Sequence, residues 1–311
     1  MLNLIKNEWM KLWQKKNSWA MLIFLAIAVV AMLSLVKVAE NAFSGEEVIA
    51  SYDEQLVVIE QQLENPNLSE SEQEDLLLHQ QDILEMRATY EVDNVPTTRE
   101  GIVLETFGTM SLVTLLTIIV GSGIVSSEFT QGTIKMLLSR PVKRWKILTS
   151  KYITVLLYSL LATAILFIVT YITATLLFPK AEGSTISFYA TEISLSAVLG
   201  KSLYMLFLGW INTVVVVTLA FMIGTIFRST SLAIGISIFL YFTGNAIVLF
   251  LIKYDFAKYI LFANSNLTQY VTGYTMIEGL TMTFSSIVII VYMLIFLALS
   301  YFTFIKRDVA A

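Results

Sequence analysis

The residues with chemistry to offer gather in one segment, 126–151. Six of the twenty Lys and Arg fall there (Lys135, Arg140, Lys143, Arg144, Lys146 and Lys151), beside a single acid, Glu128. Such a set can pair charge with another surface, but it holds nothing that attacks a bond. Elsewhere the inventory is sparse. The chain has no cysteine and one histidine, His79, which excludes a disulfide framework, a thiolate metal site and a two-histidine zinc motif. No Gly-rich loop ends in Gly-Lys-Ser/Thr, so nucleotide phosphates find no cradle of that kind. The long apolar runs carry no carboxylate pair for an intramembrane enzyme. They also lack the ionisable group that marks a proton or ion relay in coupled carriers. A non-catalytic chain with no metal or directly bound cofactor is expected. If it moves anything uphill, a partner must supply the free energy.

The elements that position this segment are membrane spans. Hydrophobic residues make up 56% of the 311 positions and charged ones 14%, against roughly 45–50% and about 25% in soluble domains. Six uncharged runs, each long enough to cross about 30 Å of hydrocarbon, lie at the heart of spans placed at 18–39, 104–126, 151–179, 202–227, 232–252 and 283–305, with Lys37, Glu105 and Lys151 at their edges. The fold class is therefore all-α, a six-span membrane protein with both termini on one side. Residues 1–17 put Leu2, Ile5, Trp9, Leu12 and Trp13 at helical spacing, opposite Lys6, Asn7, Lys11, Gln14 and Lys15. This is the pattern of an amphipathic helix lying in the interface. A basic flank that only orients the first span is the alternative. Gly121-Ser122-Gly123 would let another helix approach span 2 closely, or let span 2 bend. The isolated amides Asn212 and Asn245 read as bonds between helices.

Residues 40–103 change character. From Glu40 to Glu105 the chain holds 17 of its 24 acids against two basic residues, Arg87 and Arg99. Asn65-Pro66-Asn67 divides this stretch, and Ser69 with Glu72 has capping-box spacing for a new helix. Two antiparallel helices sharing a narrow apolar seam fit the pattern best; a partly disordered acidic loop is the alternative. Thirteen of the twenty Lys and Arg fall on the face shared by the termini, the 126–151 segment, the turn 228–231 and the tail 306–311. The positive-inside rule makes that face cytoplasmic. The acidic hairpin, the loop 180–201 and the aromatic segment 253–282 are then extracellular, in a plasma membrane.

Within 127–150, Ser127 can cap a helix and Glu128 suits its positive end. That helix would run to about Ser139, where Arg140-Pro141 stops it and Pro141 begins the next one. Phe129, Ile134, Met136, Leu137 and Leu138 are too apolar for a helix in water. Gly132 in mid-helix costs roughly 1 kcal/mol relative to Ala, which suggests a close neighbour. From composition alone, docking onto a partner and resting on lipid headgroups are evenly matched.

Glu128, Gly132-Thr133, Leu137-Leu138, Arg140-Pro141, Arg144 and Lys151 together resemble the signature of the ABC-2 type permeases of ATP-binding-cassette exporters. The ending Phe304-Ile305-Lys306-Arg307-Asp308 is similar to the close of that family's last span. The acidic insert after span 1 departs from the minimal family pattern. The resemblance implies a coupling helix at 128–139, seated on a separate ATPase subunit. Glu128, Phe129, Gly132, Thr133, Met136, Leu137, Arg140, Pro141 and Arg144 would form that interface, with Trp9, Leu12 and Trp13 of the N-terminal helix bracing it. It further implies two ATPase copies that bring ATP and Mg, a second permease chain (self or sibling), and re-entrant or interfacial helices at 253–282. The partners expected are thus protein and bilayer, with no nucleic acid. Export of a peptide antibiotic, drug or lipid-like molecule is the function implied. A membrane sensor or assembly protein, whose acidic hairpin binds a ligand or envelope partner, is the alternative.

Overall fold

A computed structural model describes residues 1–42, 46–63, 69–93, 97–133, 142–189, 191–227 and 229–306. Among these, six helices are long and apolar enough to cross a membrane, and the protein is an all-α membrane protein. After the interfacial helix α1 (Leu2–Gln14), span 1 is α2 (Lys16–Ala42). The acidic region folds as α3 (Glu46–Leu63) and α4 (Glu70–Asp93). Span 2 is compound: α5 (Arg99–Glu105), one 3-10 turn over Thr106–Thr109, then α6 (Met110–Thr130). Spans 3, 4, 5 and 6 are α7 (Arg144–Leu177), α8 (Val198–Ile226), α9 (Thr230–Leu251) and α12 (Met282–Lys306). Between spans 5 and 6 lie a 3-10 turn over Asp255–Tyr259 and the short helices α10 (Leu261–Ser265) and α11 (Gln269–Thr272).

The α3–α4 hairpin keeps only part of the expected seam: of the recurring apolar positions, Leu56, Ile59, Leu63, Leu76 and Ile83 are shielded, whereas Val57, Leu77, Leu84 and Met86 are exposed. Ile49, Tyr52, Leu56, Ile59 and Leu63 recur at alternating spacings of three and four, as do Leu76, Gln80, Ile83 and Arg87 on the partner, and these are the shielded positions of the two helices. Arg87 reaches across to Asp53 at 2.8 Å. Asn65-Pro66-Asn67 lies outside the described residues. The acidic element ends earlier than the charge pattern suggests. Residues 99–105 belong to the membrane body, with Ile102, Val103 and Leu104 buried. Thr98 caps α5 by accepting from the Gly101 N–H. Glu100 is buried there because Arg99 and the Ala181 N–H (2.8 Å) supply its hydrogen bonds. Between spans 3 and 4, β1 (Thr185–Phe188) and β2 (Thr191–Ser194) pair antiparallel, a ribbon that the sequence pattern did not suggest.

Span 4 is the axis of the body. Most of α8 is buried, whereas α2 and α9 expose most of their surface. Its tightest neighbour is α6, and the contact runs through Gly121 and Ser122, while Gly123 faces Thr230 of α9. A Cβ on Gly224 would stand 2.1 Å from the Ser122 carbonyl oxygen, and one on Gly121 would stand 3.0 Å from Val217. Of the two uses open to those small residues, close approach is the one realised. Hydrogen bonds between spans run through hydroxyls: Thr114–Thr213 at 2.8 Å, Tyr152–Thr218 at 2.8 Å, and Trp210 donating to Ser159 at 2.9 Å. Asn212 is half-buried and Asn245 is exposed on α9, so the linking role expected of them falls to these hydroxyls.

Residues 253–282 dip into the body. Leu261 and Leu267 pack with Leu208, Val215, Ile289 and Phe296, well inside spans 4 and 6. Phe262 lies against Gly244, where its ring leaves no room for a Cβ. Re-entrant backbone cannot bond itself as a helix does, so side chains must satisfy it. Fully buried Asn264 donates to the carbonyls of Lys258 (2.8 Å) and Ile260 (2.9 Å) and accepts from Ser285 (2.6 Å). Gln269 donates to the Ala263 carbonyl and accepts from the Met276 N–H. Replacing Asn264→Leu strands those carbonyls at about 1–3 kcal/mol for a buried unsatisfied group. A lower unfolding temperature in detergent is expected, together with new protease cleavage confined to 253–282.

Candidate functional site

The terminal face gathers α1, both chain ends of the membrane body, the end of α6 and the start of α7. Arg144, at the first turn of α7, donates to the Ile305 carbonyl of α12 at 3.0 Å, and Thr149 bonds Tyr301 at 2.6 Å. These contacts fix span 3 against span 6. Helix α1 is fixed by its apolar face. Leu12 is buried, and Trp9 and Trp13 stack edge to face at 5.3 Å, with Trp19 of α2 at 4.6 Å from Trp13. At Lys15 the backbone is extended, and α2 begins at the next residue. One residue of extended chain separates α1 from span 1.

At the centre of this face sits Lys151, 1% exposed, one helical position before the apolar run of span 3. A buried ammonium needs compensating charge and acceptors, because leaving water costs several kcal/mol per ion. Two carboxylates supply both. Glu8 of α1 accepts from Lys151 Nζ at 2.7 Å, and Glu128 of α6 accepts from it at 3.0 Å. Lys11 closes the ring from the solvent side, 3.3 Å from Glu128 and 3.4 Å from Glu8. Thr133 also donates its hydroxyl to the Glu128 carboxylate. Four charges of zero net sum therefore join three elements that are 117 and 143 residues apart in the chain.

The local fold here differs from the expectation. Ser127 and Glu128 do not begin a helix: α6 continues unbroken from the membrane through Thr130. Gly132 then takes φ +70°, with no atom of the described residues within 4 Å of where its Cβ would stand. The glycine supplies the left-handed conformation that ends a helix. Glu128 is thus rigidly continuous with span 2. Phe129 turns inward against Val125, Ile147, Tyr152 and Phe304, so its side chain belongs to the body of the protein. Thr133 is exposed, and Arg144 is engaged with α12. Trp9, Leu12 and Trp13 face the membrane body as well. Ile134, Met136, Leu137, Leu138, Arg140 and Pro141, with the rest of the expected 128–139 helix, lie outside the described residues.

Glu8 is the residue that sequence reading passed over. It follows Ile5 by three positions and precedes Leu12 by four, which sets an acid in the apolar stripe of α1. It is also the sole acid before Glu40. On the thirteen-cation face, Glu8 and Glu128 are the acids other than Asp308 near the end of the chain, and both converge on one buried lysine.

The ring also borders a cleft of about 550 Å³ between α1, the start of α2, α6 and the start of α9. Among the described residues, no group of three or more His, Cys, Asp and Glu is placed to hold a metal ion. The arrangement can hold three elements in register and transmit a displacement among them.

Comparison with known proteins agrees with the membrane body. The protein named "Uncharacterized protein YhcI" of Bacillus subtilis (strain 168) is 38% identical over the full length of both chains. "Uncharacterized membrane protein YdbK" of the same organism is 32% identical over 64% of this chain and 78% of its own. The family model described as "Protein of unknown function (DUF2705)" matches residues 74–310, a range that includes Glu128 and Lys151. The chain therefore belongs to the DUF2705 family.

Proposed function

We propose that this chain is the membrane subunit of an ATP-binding-cassette exporter. Hydrolysis of ATP-Mg by a separate subunit, present in two copies, would drive export of a hydrophobic or amphipathic molecule such as a peptide antibiotic, drug or lipid-like compound. One observation carries the reading. The sole acid of the basic loop, Glu128, ends span 2 and is tied by a buried lysine to the start of span 3 and to the interfacial helix. A push delivered to Glu128 would reach two spans and α1 through contacts of about 3 Å. The apolar runs offer no competing energy source, and the ABC-2 resemblance of the loop gives the partner its class. Two such chains, or this one and a sibling, would frame the pathway. The thirteen-cation face is cytoplasmic in this reading, in a plasma membrane.

Pull-down of the tagged full-length protein from native membranes is expected to recover an ABC ATPase subunit. In reconstituted vesicles Glu128→Gln is expected to cut the substrate-stimulated ATP hydrolysis by tenfold or more, with membrane insertion unchanged. Normal stimulation in that variant would sink the coupling role. A sensor or assembly role has one specific point in its favour. The acidic hairpin exposes Val57, Val58, Leu77, Leu78, Leu84 and Met86, which suits a partner surface better than bare solvent. Recovery of an envelope protein and no ATPase would favour that reading.

A further inference from the structure

The cleft beside the ion ring changes character along its length. Its mouth carries Lys11 and Lys15 with the ring itself; its deeper wall is Met21, Ile119, Val120 and Ile234. From Glu128 to Ile119 is nine residues of one helix, about 13 Å at 1.5 Å per residue, so the cleft runs from headgroup level well into the hydrocarbon. Its volume, about 550 Å³, lies within the roughly 300–1,000 Å³ of ordinary ligand sites. Three lysines and two glutamates line it. Each carboxylate is engaged by Lys151 and Lys11, which leaves one positive charge in excess, at the Lys15 end. A site with a cationic rim at the interface and an apolar wall below suits an anion with a hydrocarbon tail.

We propose that this cleft binds a single anionic phospholipid from the leaflet on the terminal face. Its phosphate lies against Lys11 and Lys15, and one acyl chain lies along Met21, Val120 and Ile234. The lipid would tie α1 to α9, two elements that the ion ring does not join, and so set how firmly α1 is seated. The choice of lipid rests on the cytoplasmic assignment above, since anionic lipids attract basic segments on that side.

The test is native mass spectrometry of the full-length protein in detergent with phosphatidylglycerol or phosphatidylcholine added. One phosphatidylglycerol is expected to remain bound at collision energies that strip phosphatidylcholine. Lys15→Gln, an exposed change with no fold to lose, is expected to weaken retention about tenfold. Ile234→Trp, which fills the deep wall, is expected to abolish it. Equal retention in wild type and both variants means general annular lipid and overturns the proposal. Displacement by millimolar inorganic phosphate overturns it too, because the site then reads phosphate alone. The assay needs no ATPase: a retained lipid in a protein that recruits no ATPase keeps the cleft and removes the coupling reading.

Discussion

Lys151→Met is expected to cost about 3–5 kcal/mol, the range for breaking a buried ion pair by removing one partner. The reason lies in what remains. Glu8 and Glu128 are both nearly enclosed, and in the variant they would face each other with only the solvent-side Lys11 between them. The lysine is 1% exposed, so water cannot readily replace it. Unfolding temperature in detergent should fall by many degrees, and α1 should become accessible to protease near Lys11. The triple change Glu8→Gln, Glu128→Gln and Lys151→Met removes every strongly buried charge of the ring at once. Neutral replacements of whole buried ion sets are often neutral or stabilising, so the triple variant should recover most of the loss. Failure of the triple variant to recover would mean that Lys151 acts through packing and not through charge.

Gly224→Val is expected to be the most damaging change away from the ring. Its Cβ would stand 2.1 Å from the Ser122 carbonyl oxygen, 2.8 Å from the carbonyl carbon and 2.9 Å from Ser122 Cα. All three are backbone atoms, so no side chain can swing aside; α6 and α8 must separate. Overpacking usually costs about 1–3 kcal/mol and occasionally more, and a backbone clash on the most buried helix belongs at the upper end or beyond. Gly235→Ala on α9 is the control, because nothing lies within 4 Å of its Cβ position. That change should be neutral or stabilise by up to about 1 kcal/mol through helix propensity. Similar losses in both variants would show that the α6–α8 approach is not what Gly224 serves.

Much of the fold was legible because hydrocarbon imposes its own length and composition on a span. The six runs, the shared face of the termini and the close approach at Gly121-Ser122-Gly123 all follow from that constraint. The hairpin seam was legible from three-and-four spacing through Ile59 and Ile83. The site was legible only in part. Lys151 and Glu128 stood out as residues, but read singly they suggested a hinge and a helix start. Their pairing is a contact across the fold, set by how α6, α7 and α1 meet, and no local spacing encodes it. Glu8 was hidden for a related reason: an acid in an apolar stripe reads as an imperfection until its cation is seen. Gly132 carried a second meaning, since a glycine ending a helix at positive φ and one in mid-helix look alike in sequence. The Asn264 network was equally out of reach, because its acceptors are main-chain carbonyls exposed by the re-entrant turn.

In the proposed function the Glu8–Lys151–Glu128 ring carries motion between a partner ATPase and the spans. The neutral triple variant tests it most directly, since it separates coupling from stability. Wild type and triple variant would be reconstituted with the ATPase recovered from native membranes, and substrate-stimulated ATP hydrolysis would be measured in both. The triple variant is expected to fold, with an unfolding temperature near wild type, and its hydrolysis is expected to stay at the unstimulated rate. Wild-type stimulation in that variant would contradict the coupling role and leave the ring as a structural fastening only.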